Sequence, residues 1–284
     1  MKEVGLEFST EEHEKDKLII KYLNYLRKIE IQEAKYIYKS KEFYCPPEHE
    51  KGLEKLIDTI EKERDISPYL STRAKQLKDD GMFNDWGVLH LHLGNNLDNR
   101  GYIERTGPIL FAYYNNQEKA AYLINIYEHG NWAKKDVLQI MYDNWPWVLD
   151  PFKLNGVSAV TPDFEEDEHL KLRKSGGNIL INLQDEKGNL LPIAPPGWGI
   201  TTAGTSVADV MIYQKLVQEI QDLEKLVKEN TEKIIKQMRQ QGVIAPEGPN
   251  FKLVKISGKW YVKEVNTNCA LNLKIIDPMQ KELN

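Results

Sequence analysis

Apolar side chains recur every three to four residues through most of the first third of the chain, the spacing of an amphipathic helix. A long first helix is predicted from Thr10 onward, where Ser9 and Glu12 have capping-box spacing. The paired prolines at positions 46 and 47 end it, and two shorter helices follow. Residues 1–80 are therefore predicted to form a helical N-terminal subdomain.

The pattern then changes to short runs rich in β-branched and aromatic residues, VLHLHL, PILFAYY and AAYLINIY. Turn-forming glycine and asparagine residues separate them, which predicts three antiparallel strands. Asn131 can cap a following helix that Pro146 ends. The middle of the chain is thus predicted to be a β-β-β-α unit.

The sequence pattern after Asp150 predicts two hairpins and one long helix. The stretch EEDEHLKLRK is interpreted as an acidic, solvated loop, whereas ILINLQDEKGNLLPI and FKLVKISGKWYVKEV each resemble two strands around a tight turn. We therefore predict one α+β domain over 81–284. The fold class is α+β, with a helical N-terminal part, a central antiparallel sheet followed by a helix, a long C-terminal helix and a terminal β-hairpin.

The long helix is predicted over 205–240, where apolar positions alternate at spacings of three and four, a heptad rhythm. Such a stripe needs a partner surface. We expect either the N-terminal helix of the same chain or a second copy, so a homodimer or another protein partner is a hypothesis. The stripe consists of Tyr213, Leu216, Ile220, Leu223, Val227, Asn230 and Ile234.

Net charge, cysteine content and the lengths of the apolar runs limit the classes of function that the chain can have. The formal net charge of −5 over 284 residues gives no general attraction to nucleic acid or anionic lipid, although a local basic patch is compatible with it. Cys45 and Cys269 lack metal-ligand spacing and fit free thiols in a reducing compartment. Because no apolar run approaches the roughly 18 residues that cross a bilayer, we expect a cytoplasmic protein.

Three of the six histidines fall in the predicted β unit. Alternation along a strand places His90 and His92 on one face and the neighbouring leucines on the other. If the leucine face packs on the helix that follows, the two imidazoles border a second surface or cleft. His129 ends the third strand, and Arg105 precedes the second. One sheet could bring all four side chains together.

This set favours a ribonuclease-like phosphodiesterase that needs neither metal nor cofactor. His90 and His129 are the proposed acid and base, because imidazoles titrate near neutral pH. His92 and Arg105 would hold the phosphate of an RNA substrate. The predicted substrate-binding wall consists of Tyr102, Thr106 and Trp132, with the indole as a stacking surface.

Two other functions remain open. His90, His92 and His129 could instead be the three nitrogen ligands of a metal-dependent hydrolase, with water in the fourth position. Alternatively, the chain is a non-enzymatic binding or inhibitor protein that uses the sheet face and the long helix as contact surfaces. We expect no role for His13, His49 or His169, and we interpret the glycine-rich passage before the long helix as a structural linker.

Overall fold

The computed structural model describes residues 15–273 and has an α+β fold. The chain divides into two compact units after Tyr213. The first unit includes both sides of the division predicted near residue 80. The proposed helix cap at Ser9 and Glu12, and His13, lie outside the described residues. Within 15–273, no helix combines the length and apolarity needed to cross a bilayer.

The first part of the chain is mainly helical, in the order α1 (Lys15–Ile29), β1 (Tyr36–Lys39), α2 (Pro47–Glu61), α3 (Thr72–Lys75) and α4 (Gly81–Trp86). The predicted first helix therefore ends well before the prolines at positions 46 and 47. It ends in a 3₁₀ turn, Glu30–Glu33, after which the chain extends into a strand.

The central sheet contains the three predicted strands, β2 (Val88–His92), β3 (Pro108–Asn115) and β4 (Ala120–Glu128), and their antiparallel pairing is confirmed. The sheet also has a fourth strand that the sequence pattern did not predict, because β1 pairs in parallel with β4. The strand order is β1-β4-β3-β2, so β2 lies at one edge. The helix predicted after β4 is present as α5 (Asp136–Asn144), followed by α6 (Pro146–Leu149).

Both faces of this sheet are covered. Leu89, Leu91 and Leu93 are buried in a cluster with apolar residues of α1 and α2. The opposite cluster contains Val88 and Phe111 together with the buried side of α5. The leucine face therefore packs under the N-terminal helices, whereas the helix that follows the strands covers the other face.

The stretch expected to be an acidic loop is a helix, α7 (Glu166–Lys174). A reciprocal capping box between Glu165 and Glu168 starts it, and basic residues occupy its last turn. The two side chains that it buries, His169 and Arg173, are polar. The predicted hairpin after it is confirmed as β5 (Ile181–Gln184) and β6 (Leu190–Ile193).

The predicted long helix is two helices, α8 (Val207–Glu229) and α9 (Thr231–Gln240), separated at Asn230. In the second unit, Leu223 and Val227 pack with residues of α9 and of a three-stranded sheet. That sheet contains the predicted hairpin, β7 (Phe251–Ile256) and β8 (Lys259–Glu264), and an additional strand, β9 (Ala270–Asn272). Ile220 remains 38% exposed, so the stripe is only partly covered within its own unit. Pairing with a second copy stays a prediction.

Candidate functional site

A cavity of about 480 Å³ lies along β2, the edge strand of the central sheet. Five of the seven side chains that the sequence analysis selected line it, namely His90, His92, Arg105, His129 and Trp132. The volume is within the range of roughly 300–1,000 Å³ that is usual for small-molecule sites. The four proposed catalytic residues therefore share one surface.

The strand register explains why they meet. His90 pairs with Phe111 and His92 with Ile109, while Pro108 pairs with Glu128. The end of β2, the start of β3 and the end of β4 consequently lie at the same end of the sheet. The backbone N–H of His129 donates to the carbonyl of Gly107 at 3.0 Å, which places this histidine beside the chain that carries Arg105.

The connection between β2 and β3 is held by its own hydrogen bonds. An isolated bridge joins Leu97 to Ile103, and the Thr106 hydroxyl donates to the carbonyl of Pro108 at 2.5 Å. Thr106 is thus engaged with the backbone, and it does not line the cavity. Tyr102 also lies outside the lining, with its ring 4.9 Å from the ammonium group of Lys75. The structure does not bring these two predicted substrate-binding residues to the cavity.

His90 is held by contacts on several sides. Its Nδ1 lies 3.4 Å from a carboxylate oxygen of Asp80, and its Nε2 lies 3.1 Å from the Met82 sulfur. Burial raises the pKa of Asp80, but His90, Lys28 and the amide of Phe83 together outweigh burial and hold that pKa well below its usual range. Asp80 is therefore an ionised group that can orient the His90 ring.

His92 is the most buried of the three histidines, at 5% exposure. Its Nδ1 has no hydrogen-bond partner within the protein. Burial, together with the positive charge of Arg105 and the neighbouring histidines, lowers its pKa to about 4. His92 is consequently a neutral imidazole near pH 7 with one ring nitrogen not engaged by another protein group.

His129 and Arg105 are exposed residues of the cavity lining. Desolvation lowers the pKa of His129, and Arg105 and His90 lower it further. A neutral imidazole and an exposed guanidinium therefore line the same cavity, where a ligand can reach both.

Trp132 connects two of the histidines. Its ring centroid lies 4.6 Å from that of His90 and 4.7 Å from that of His129, with the rings close to perpendicular in both pairs. The carbonyl oxygen of Trp132 accepts a hydrogen bond from Nη1 of Arg173, which comes from α7. The loop after β4 is thereby fixed to a separate helix.

Arg173 belongs to a buried polar cluster that the sequence analysis missed. Its Nε donates to Asp85 at 2.7 Å, and His169 Nε2 lies 3.0 Å from the same carboxylate oxygen. His169 is fully buried, so the expectation of a solvated histidine in an acidic loop was wrong. The i, i+4 spacing of His169 and Arg173 places both on one side of a helix and could have indicated this cluster.

Cationic side chains outnumber carboxylates in the lining. Asp79 and Asp80 face six basic residues, namely Lys28, Arg73, Lys78, Arg105, Arg173 and Lys174. Lys28 is 4% exposed, and its burial lowers its pKa. Apart from Arg105, these cations share no sequence motif that could have indicated them, because they come from separate helices and turns. The cavity is thus a local basic site in an acidic chain.

The geometry gives no support to the metal alternative. Among residues 15–273, no group of three or more histidine, cysteine or carboxylate side chains is placed to hold a metal ion. The three-histidine hydrolase stays a hypothesis from sequence alone.

The glycine-rich passage lies elsewhere and has a packing role. A Cβ at Gly197 would come within 2.6 Å of the Asn84 carbonyl oxygen and the Gly87 nitrogen, so the close approach of these backbones requires glycine. Its interpretation as a structural linker fits this contact.

Comparison with known proteins adds no assignment: neither a protein-family model, nor a curated protein, nor a solved structure matches the chain.

Proposed function

We propose that the cavity along β2 is the active site of a metal-independent, ribonuclease-like phosphodiesterase. The observation that supports this most strongly is that His90, His92, His129 and Arg105 line one cavity with an excess of cations. Phosphodiesters are anions whose cleavage needs a proton acceptor, a proton donor and stabilisation of the charged phosphoryl oxygens.

His129 is the base in this proposal. Its lowered pKa favours the neutral ring that accepts a proton, and its exposure allows a ribose hydroxyl to approach. His90 is the acid, because the ionised Asp80 at 3.4 Å supplies a counter-charge for the imidazolium. Arg105 holds the phosphate through charge-assisted hydrogen bonds, and neutral His92 donates a further hydrogen bond.

The chemical step transfers two protons. The ribose 2′-hydroxyl loses its proton to His129 as its oxygen forms a bond to phosphorus. The bond between phosphorus and the 5′-oxygen breaks, and that oxygen takes a proton from His90. The products are a 2′,3′-cyclic phosphate and a free 5′-hydroxyl, so atoms and charge balance without metal or external oxidant.

The test is cleavage of mixed RNA by the wild-type chain, with and without a chelator. We expect chelator-resistant cleavage that falls about a hundredfold or more in His90→Ala and His129→Ala, because each removes a positioned proton-transfer group. His49→Ala is the matched control, since His49 lies on α2 outside the cavity lining and should retain full activity. Thermal melting verifies that each variant is folded.

Other outcomes reject the proposal. Cleavage that the chelator abolishes would favour the three-histidine metal hydrolase. If the folded wild-type chain cleaves neither RNA nor a smaller ribonucleotide phosphodiester, the phosphodiesterase is wrong and a non-enzymatic binding role replaces it.

A further inference from the structure

The cavity and the rest of the chain carry opposite charge. Residues 15–213 are the described part of the unit that contains the cavity, and six of their 25 lysine and arginine residues line it, whereas two of their 29 carboxylates do. The other residues of this range therefore include 19 basic and 27 acidic side chains. A long polyanion that leaves the cavity would meet a unit that is negative on balance.

The cation excess inside the cavity also suits a small ligand. Arg173 is already paired with Asp85, at 2.7 Å, which leaves its charge largely compensated. The other five cations face Asp79 and Asp80. An excess of about three charges matches one or two phosphate groups, whereas a protein that follows a nucleic-acid strand contacts many phosphates in succession.

The lining offers one stacking surface for a base. Trp132 is its single tryptophan, and no phenylalanine or tyrosine occurs among the described lining residues. Proteins that bind single strands usually stack successive bases on several aromatic side chains. A single indole can stack one base, and Arg105 together with the three histidines can bind one phosphodiester group.

From these observations we infer that the substrate is a nucleotide-sized phosphodiester, a nucleoside 2′,3′-cyclic phosphate, rather than a long RNA strand. This inference rests on the proposed function and specifies its substrate. In the reaction, water gives a proton to His129 and its oxygen bonds to phosphorus. The bond from phosphorus to one ribose oxygen breaks, and that oxygen takes a proton from His90, which yields a nucleoside monophosphate.

The first experiment compares kcat/KM for a 2′,3′-cyclic mononucleotide, a dinucleoside monophosphate and a 20-nucleotide RNA. We expect the cyclic mononucleotide to be hydrolysed. The kcat/KM per phosphodiester bond should be no higher for the 20-nucleotide RNA than for the dinucleoside monophosphate. Raising salt from about 50 to about 200 mM should lower kcat/KM by only about 3- to 7-fold, as for one or two phosphate contacts. Preference for the long RNA with a salt effect of about a hundredfold or more would overturn the inference and leave the phosphodiesterase standing.

The second experiment is calorimetric binding of a nucleoside 3′-monophosphate, which needs no turnover. We expect Arg105→Gln to weaken binding about tenfold or more, because a charge-assisted contact to phosphate is lost. Arg64→Gln is the control, since Arg64 lies outside the cavity lining and pairs with Asp58 on α2. If no substrate is cleaved but the mononucleotide binds in this way, the proposed catalysis fails and the ligand class survives. Failure of the mononucleotide to bind overturns the ligand class.

Discussion

His90 is the residue whose surroundings are most specific. Asp80 lies beside its Nδ1, Trp132 packs against its ring, and Met82 contacts its Nε2. Asp80 has a second role, because its Oδ1 accepts a hydrogen bond from the backbone N–H of Phe83 and caps α4. The same aspartate thus starts the helix and positions the histidine.

Asp80→Asn separates these two roles. Asparagine retains an acceptor for the helix cap but carries no charge, so folding should persist while His90 loses its counter-charge. We expect kcat to fall about tenfold or more with little change in KM. Steady-state kinetics measures this, with Asp167→Asn on the exposed side of α7 as control. An unaltered kcat would exclude Asp80 as a positioning residue.

The lowered pKa of His92 predicts that the stability of the fold depends on pH. Its pKa is lowered from 6.5 to about 4 in the folded chain, mainly by burial. Between these two values the unfolded chain binds a proton that the folded ring does not, so the free energy of unfolding falls as the pH falls through this window. The slope is about 1.4 kcal/mol per pH unit.

Denaturant unfolding at about pH 7.5 and about pH 5 measures this contribution. The free energy of unfolding differs between these two pH values, and His92→Gln should reduce that difference by on the order of 2 kcal/mol. His49→Gln should leave the difference as in the wild-type chain. If the free energy of unfolding depends equally on pH in His92→Gln and in the wild-type chain, His92 is not held neutral in the folded state.

At the scale of elements, α2 sets the position of the end of β2. A Cβ at Gly52 would overlap the carbonyl oxygen of Leu93 and lie 2.6 Å from its carbonyl carbon. The helix and the strand therefore approach more closely than any larger residue at position 52 allows. His92 directly precedes Leu93, so this contact supports the candidate site.

Gly52→Ala should destabilise the chain by about 1–3 kcal/mol through overpacking. Alanine inside a helix would by itself be favourable by roughly 0.5–1 kcal/mol relative to glycine. A net loss in the free energy of unfolding would therefore come from the clash of the added methyl group with the Leu93 carbonyl. Gly248→Ala is the control, because no atom lies within 4 Å of the corresponding Cβ. Denaturant titration of both variants gives the comparison, and a Gly52→Ala chain as stable as wild type would contradict the packing described.

The elements that sequence reasoning predicted are those with a clear period. Strands β2, β3 and β4 and both hairpins have alternating or continuous apolar runs bounded by turn residues. The pattern missed β1, whose YIYK sequence is short and largely exposed and whose partner β4 is distant in the chain. It also missed α7, because the buried face of that helix carries His169 and Arg173 in place of apolar side chains.

At the scale of the whole molecule, the sequence predicted which residues of the sheet could meet but not the composition of the cavity. Period-two alternation and the strand order account for His90, His92, Arg105 and His129 lying together. Lys28, Arg73 and Lys174 come from α1, α3 and α7, and their convergence depends on tertiary packing that no local pattern encodes. For the same reason the net charge of −5 gave no indication of a basic site.

A histidine-resolved NMR titration with a nucleoside 3′-monophosphate tests whether the cavity along β2 binds a nucleotide phosphate. We expect the ring signals of His90, His92 and His129 to shift along one saturable binding curve, and those of His49, outside the cavity, to stay in place. The pKa of His129 should rise on binding, because the phosphate adds negative charge beside it. If the signals of the three cavity histidines move no more than those of His49, the cavity is not the phosphate site.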